Sequence, residues 1–294
     1  MQTVAFLGLG AIGAPMAKRI GAAGFPLRVW NRTRDKAAAL TKNTAIQAAR
    51  TAAEAVEGAD VVVTCLSTSA DVEEVLNDGV FEKLRAGMVV LDCTSGDPAT
   101  SRRIASRLGA WDVGFVDAPV SGGVKGAEEG TLTVMCGGDE QHLERARPVI
   151  QAFGKKIVHC GPVGAGDAVK AMNQALLALT IWGTGEALMA LAKSGVSAET
   201  ALEVINASSG RSNASMNLFP ERVLTRAFPR TFRLSLMAKD ARIAADITRA
   251  ERVPSPLTQL AAELCTLAHL ELGDEADHVE AVQVIEKWAG GEIR

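Results

Sequence analysis

The sequence is poor in the residues that staple or metallate small proteins. Its five cysteines, Cys65, Cys93, Cys136, Cys160 and Cys265, are odd in number and include no CxxC pair, which argues against a disulfide framework and a zinc site. The four histidines, His142, His159, His269 and His278, are scattered and form no metal-binding pair, so no metal is expected. Charge of either sign is not in excess: the net value of −3 leaves no basic footprint for nucleic acid or for an anionic membrane surface. No cationic leader precedes the strand-like run Thr3–Leu7, so a cytoplasmic protein is expected. The longest apolar stretch, 171–192, is broken by Asn173, Gln174 and Glu186, which is wrong for a lipid-exposed span. Internal repeats and low-complexity segments are also missing. What remains, 48% hydrophobic and 22% charged over 294 residues, suits a globular chain of one large or two ordinary domains.

The first half alternates strand and helix patterns. Thr3–Leu7 runs directly into Gly8-Leu-Gly10-Ala-Ile-Gly13, and a helical pattern follows over Ala14–Ala23. In that context the glycines have separate tasks. Gly8 makes the tight turn, Gly10 lets the backbone approach a pyrophosphate, and Gly13 lets the helix pack on the strand. Ala11 and Ile12 lie between them, where the helix N-terminus offers N–H groups and a positive dipole end to phosphates. The next strand, Pro26–Trp30, ends at Asn31-Arg32-Thr33. An NAD-specific site usually has a carboxylate there for the ribose 2′-hydroxyl. Asn31 lacks that charge, and Arg32 with Arg34 nearby suits a 2′-phosphate, so NADP(H) is expected in preference to NAD(H).

Further strands are expected at Asp60–Cys65, Met88–Asp92, Trp111–Asp117, Thr131–Cys136 and Lys156–Cys160. Two of them deliver the polar ends Leu66-Ser67-Thr68 and Cys93-Thr94-Ser95, as strands of an open parallel sheet do at a ligand crevice. Another ends in Asp117-Ala-Pro-Val-Ser121-Gly122-Gly123, where backbone N–H groups and the Ser121 hydroxyl could converge on an anion. On spacing alone, a plain loop is the simpler reading.

After Cys160 the strand pattern stops. Helices are expected over 167–193, 198–208, 215–226, about 234–251, 257–272 and 277–288, separated by Gly195, Gly210, Pro220, the Pro254/Pro256 pair and Gly273. The fold class is therefore α/β: a Rossmann-type doubly wound domain over 1–162, then an all-α domain over 163–294. Where they join, Gly161-Pro-Val-Gly-Ala-Gly-Asp-Ala-Val-Lys170-Ala-Met-Asn173-Gln174 opens a long helix. Lys170, Asn173 and Gln174, spaced i, i+3 and i+4, share one face of it.

GLGAIG at 8–13, DAPVSGG at 117–123, GAGDAVKAMNQ at 164–174 and the pair Lys239-Asp240 together resemble the β-hydroxyacid dehydrogenase family, and the layout of both halves is similar to its 3-hydroxyisobutyrate dehydrogenases. The resemblance covers essentially the whole chain. It implies that Lys170 is the catalytic lysine and that Ser121, Gly122 and Gly123 hold a substrate carboxylate. It places Asn173 and Gln174 as the substrate-binding amides and Phe232 in the substrate pocket. It also puts Leu66, Ser67, Ser95, Lys239 and Asp240 near the nicotinamide. Gln174 departs from the commonest pattern, two asparagines, and resembles tartronate-semialdehyde reductases there. Imine reductases of the superfamily generally lack the lysine, and a 6-phosphogluconate dehydrogenase would carry His at position 173.

The reaction implied is hydride transfer between NADP(H) and a small 3-hydroxy acid or semialdehyde, with Lys170 exchanging the hydroxyl proton. A free lysine titrates at about 10.4, so desolvation would have to lower it for work at neutrality. The alternatives are a tartronate-, glyoxylate- or succinic-semialdehyde reductase, and a non-catalytic NADP(H)-binding sensor. The expected partner is a small carboxylate substrate, and a homodimer or homotetramer through the helical domain is expected.

Overall fold

A computed structural model describes residues 1–42, 44–77 and 79–294. The described residues form two compact units, Met1–Lys170 and Ala171–Arg294.

The first unit is built on one sheet of nine strands: β1 (Val4–Leu7), β2 (Leu27–Trp30), β3 (Gln47–Ala48), β4 (Val61–Thr64), β5 (Val89–Asp92), β6 (Gly114–Asp117), β7 (Val120–Ser121), β8 (Leu132–Gly138) and β9 (Gly154–Gly161). Their order is β3-β2-β1-β4-β5-β6-β8-β7, with β9 also paired to β8. From β3 to β6 every pairing is parallel, aligning Val4 with Leu27 and Val61, and Val89 with Val61 and Gly114. β8 then runs antiparallel to β6 and parallel to β9.

Strands covered on both faces read as unbroken apolar runs, and β1, β4, β5 and β6 are buried at every position. Successive side chains go to opposite cores. Val4, Phe6, Val61 and Val63 meet Met16 and Ile20 of α1 (Gly13–Ala22) and Leu143 and Ile150 of α2 (Glu140–Ile150). Ala5, Leu7, Val62 and Val90 meet Val72 and Leu76 of another helix, together with Ile104 and Leu108 of a further one beginning at Pro98. Helices on both faces make the sheet doubly wound, and the winding reverses between β1 and β4, the crevice where such sheets bind ligands.

Three details of this unit differ from the sequence expectation. Trp111 is exposed in a turn with Asp112 at φ 54°, and the strand begins only at Gly114. Two short strands, β3 and β7, join the sheet. Their two residues each carry no alternation long enough to register as a pattern.

The second unit is helical. A 29-residue helix, α3 (Ala165–Lys193), begins in the first unit and continues into the second. It is long and apolar enough to cross a membrane on length and composition alone, yet its first turn is tied to the sheet and it buries Lys170 and Gln174. Gly185 is explained by packing, because a Cβ there would lie 2.7 Å from Ile285 Cδ1. The helices α4 (Ala198–Ala207), α5 (Leu234–Ala250), α6 (Pro256–Leu272) and α7 (Val282–Ala289) enclose a core around Trp182, Leu188, Phe219, Met237 and Val279. Residues Ala214–Val223 form a π-helix instead of the α-helix expected over 215–226. Pro220 lies inside it and has no N–H to give an α-helical ladder.

Candidate functional site

The loop after β1 shows a separate physical reason for each glycine. Gly8 sits at φ +106°, and a Cβ there would overlap the Cys65 carbonyl and lie 2.7 Å from Leu66 Cδ2 across the β1–β4 reversal. At Gly13 a Cβ would overlap the Gly8 carbonyl and crowd Phe6. At Gly10 it would meet nothing within 4 Å. The space in front of Gly10 is open, so its lack of a side chain is not needed for packing of the chain itself. No side chain caps α1, and no acidic residue stands in its first turn. By contrast, Asp97 and Asp139 cap the helices that follow them. An uncapped helix start above an open glycine is a feature that pyrophosphate sites use, and Gly8, Gly10, Ala11, Ile12 and Gly13 make up this turn.

The ends of the neighbouring strands are tied to this loop. Leu9 N–H donates to Asn31 Oδ1 at 2.9 Å, and Asn31 Nδ2 donates to the Thr33 carbonyl at 3.0 Å. The Asn31 carboxamide is thus a brace between the β1 and β2 ends. Arg32 and Thr33 are exposed, and Arg32 makes no hydrogen bond or ion pair among the described residues. After β4, Leu66 N–H donates to Thr94 Oγ1 at 3.0 Å. The buried Asp92 in turn accepts from Thr64 Oγ1 at 2.7 Å and Thr94 N–H at 3.0 Å. Ser67 is exposed and Ser95 half-buried, each at the start of its post-strand loop. The expected cofactor residues of this unit therefore all follow the C-terminal ends of the parallel strands β1, β2, β4 and β5.

Ser121 lies in β7, paired antiparallel with Thr133 of β8, so this is a short strand rather than a plain loop. Gly122 and Gly123 follow at φ +135° and +66°, conformations that favour glycine. An added Cβ at Gly123 would meet nothing within 4 Å. The three residues form an exposed to half-exposed bend at the end of the strand.

Lys170 is 8% exposed on α3. The turn before it is held by two buried carboxylates, Asp117 and Asp167, which lie inside the sequence motifs without a pattern that reveals their task. Asp117, at the end of β6, accepts from Gly164 N–H at 2.7 Å and Asp167 N–H at 3.0 Å. Asp167 accepts from Gly96 N–H at 3.0 Å and Ser101 Oγ at 2.6 Å. Burial pushes the Asp117 carboxyl up to about 6 against the pull of its backbone N–H partners. Burial, then the nearby Asp117 and Asp92, raise Asp167 well above the carboxylate range. An aspartate in the third position of a helix, after a glycine-rich approach, is the signal that could have drawn attention to Asp167.

In the helical unit, Asn173 is exposed and Gln174 buried, and Asn173 Nδ2 donates to Gln174 Oε1 at 3.3 Å. Phe232 meets His278 edge-on, with ring centroids 5.5 Å apart, and its N–H donates to Asp277 Oδ2 at 2.9 Å. Lys239 and Asp240 are not the solvated pair that adjacent charges usually make. Asp240 is buried, and Lys239 Nζ lies 3.1 Å from its Oδ1. Lys239 lines a shallow groove with Ser235, Ala238, Arg242, Asp246 and His269.

Two family models match the chain. Residues 3–161 match the NAD binding domain of 6-phosphogluconate dehydrogenase, and residues 164–285 match the NAD-binding domain of NADP-dependent 3-hydroxyisobutyrate dehydrogenase. The chain is 37% identical to an NAD-dependent L-serine dehydrogenase of Pseudomonas aeruginosa, over 91% of its own length and 92% of the relative's. It is 36% identical to a 2-(hydroxymethyl)glutarate dehydrogenase of Eubacterium barkeri, over 89% and 87%. A solved structure of Mycobacterium tuberculosis 3-hydroxyisobutyrate dehydrogenase with L-serine superimposes with a TM-score of 0.88 at 33% identity, covering 97% of this chain and 99% of that one.

Proposed function

The chain belongs to the 3-hydroxyisobutyrate dehydrogenase family of β-hydroxyacid dehydrogenases, and from that premise we propose that it oxidises a small 3-hydroxy acid with NADP+, or reduces the matching semialdehyde with NADPH. The observation that carries this reading is Lys170, a buried lysine sharing a helix face with two amides.

Competing acid–base groups are few. The chain has no tyrosine, so no phenol is available. His159 Nε2 is 2.8 Å from the Gly138 carbonyl, His269 pairs with Asp274 at 2.7 Å, and His278 packs on Phe232. These three have local structural partners. Lys170 is assigned to exchange the hydroxyl proton and steady developing oxyanion charge because it is buried on the helix face it shares with Asn173 and Gln174. The Gly8–Gly13 turn would hold the pyrophosphate, and the dinucleotide supplies the hydride chemistry. Asn31 is committed to bracing its loop, which leaves the exposed Arg32 for a 2′-phosphate.

The substrate class follows from shared chemistry. Serine, 2-(hydroxymethyl)glutarate and 3-hydroxyisobutyrate, named for the relatives, each place a primary alcohol one carbon beyond a carbon bearing a carboxylate. Ser121, Gly122 and Gly123 are assigned to that carboxylate. Asn173, Gln174 and Phe232 are assigned to the rest of the substrate, and Leu66, Ser67, Ser95, Lys239 and Asp240 to the nicotinamide end. An assembly of two or four copies through the helical unit belongs to the same proposal, supported by the exposed Leu257, Leu260 and Leu267 on α6.

The test is a substrate panel run in both directions with both cofactors: 3-hydroxyisobutyrate, L-serine, 2-(hydroxymethyl)glutarate, tartronate semialdehyde, glyoxylate and succinic semialdehyde. The expected result is NADP+-dependent oxidation of at least one of the three hydroxymethyl acids, faster than turnover of the semialdehydes outside that class. No turnover of any compound, with NADPH bound, would leave a sensor as the better reading.

A further inference from the structure

We propose that Asp117 and Asp167 are positioning residues that lock the first turn of α3 and so fix where Lys170 points; this rests on Lys170 being the acid–base group. The geometry is a helix cap made from outside the helix. A helix start normally satisfies its third-position N–H with a side chain from the preceding residue. Here Gly164 holds that preceding place and has no side chain. The carboxylate comes instead from β6: Asp117 Oδ1 accepts from Gly164 N–H at 2.7 Å and Oδ2 from Asp167 N–H at 3.0 Å. Space for it is kept by glycines. A Cβ at Gly137 would lie 2.6 Å from both Asp117 oxygens, and one at Gly166 would lie 2.8 Å from Oδ2 and overlap the Met135 carbonyl.

The second tie points the other way. Asp167, from inside that turn, accepts from Gly96 N–H at 3.0 Å and Ser101 Oγ at 2.6 Å, at the start of the helix that begins at Pro98. One carboxylate thus fixes the helix start to the sheet, and the other fixes its rotation against a neighbouring helix. Lys170 is three residues beyond Asp167 and on its side of the helix. Both aspartates are buried, at 0% and 1% exposure, so water cannot replace either tie. A displacement of about 1 Å at a reacting group can cost about a hundredfold in rate.

The two ties differ in a way that a positioning role requires and general damage does not. Asp117 faces two N–H donors, one on each oxygen, so Asn in its place would turn an amide N–H toward a donor. Asp167 faces one N–H and one hydroxyl. Asn there keeps an oxygen for Gly96 and donates to Ser101 Oγ, since a hydroxyl can accept.

The experiment compares Asp117→Asn, Asp167→Asn and Asp167→Ala with the parent enzyme. The readouts are kcat, KM for NADPH, far-UV circular dichroism, and the rate at which acetic anhydride labels Lys170, read by mass spectrometry. Asp167→Asn is expected within about threefold of the parent in kcat. Asp167→Ala and Asp117→Asn are expected to lose at least about tenfold in kcat, to keep KM for NADPH within about twofold, and to label Lys170 faster. If Asp117→Asn does not fold, the Asp167 pair alone decides. An Asp167→Ala enzyme with parental kcat and parental labelling overturns the inference. If Lys170→Met leaves turnover intact, the acid–base reading falls instead, and the labelling rates still judge the positioning.

Discussion

In the proposed reading Lys170 and Arg32 make opposite demands on a substitution, because one would exchange a proton and the other would supply only charge. Lys170→Met keeps the bulk of the stem and removes the ammonium, so the fold and NADPH binding should survive; the phosphates are assigned to the Gly8–Gly13 turn, away from this residue. Turnover should fall by about 10²–10⁴-fold, the usual contribution of a placed acid–base group, and further if the charge also steadies the oxyanion. Lys170→Arg should not restore it, since a guanidinium titrating above about 12 cannot release a proton. The check is kcat for both variants beside NADPH affinity by fluorescence, and a Met variant within tenfold of the parent would remove the acid–base role. Arg32 is exposed and without a partner among the described residues, so Arg32→Ser should cost no stability. A lost charged hydrogen bond to the 2′-phosphate is worth about 1.5–3 kcal/mol, roughly 10- to 150-fold. KM should rise by that factor for NADPH and stay nearly constant for NADH; equal losses would show that Arg32 does not read the 2′-phosphate.

Within a single element, the turn from β1 into α1 separates a glycine assigned to the ligand from one needed by the fold. Gly10→Ala adds a Cβ with nothing within 4 Å, so melting should be unchanged while NADPH binds more weakly. Gly13→Ala drives a Cβ into the Gly8 carbonyl, an overpacking that typically costs about 1–3 kcal/mol, so its melting temperature should drop. Thermal melts with and without NADPH distinguish the two, and a parental melt for Gly13→Ala would contradict the packing argument. Elements of this kind were legible in the sequence because a buried parallel strand is a continuous apolar run, and glycine spacing announces the turn after it. Legible for the same reason was the break after Cys160, where the strand signal gives way to the long period of helices. β3 and β7 were not legible, being two residues each. The π-helix over Ala214–Val223 was hidden because its composition still reads as helix, and only Pro220 hints at the wider ladder. The candidate site was legible where local spacing alone sets the arrangement, as on the helix face shared by Lys170, Asn173 and Gln174. It was not where the task depends on partners distant in the chain: Asp117 caps a turn some way downstream of it, and no local pattern shows that.

Across the whole molecule, the buried carboxylates set how stability depends on pH, and the direction is the reverse of ordinary acid unfolding. Burial raises Asp117 from 3.8 to about 6, and burial with neighbouring aspartates raises Asp167 in the same direction. A carboxyl that binds its proton more tightly in the folded chain favours folding where it is protonated in both states. That contribution is complete below the ordinary value of 3.8 and is lost as pH climbs through about 6. Asp277 opposes this. Burial would raise it, but His278 and the N–H groups of Phe232 and Thr231 outweigh burial and hold it well below the carboxylate range. Its contribution is present above 3.8 and is lost as pH falls further. The exposed Glu57 and Glu144 and the half-buried Glu73, lowered by hydrogen bonds from Lys83, Arg147 and Arg103, also act only on that acid side. Between pH 8 and 5 the raised pair therefore governs. The melting temperature should climb as pH is lowered across that range and turn down only below about 4. Asp167→Asn keeps the hydrogen bonds of the protonated acid and removes one titrating group, so the climb should be shallower in that variant. Differential scanning calorimetry of both proteins at constant ionic strength measures this, and a melting temperature that falls steadily from pH 8 to 5 would show that the Asp117–Asp167 pair does not control the balance.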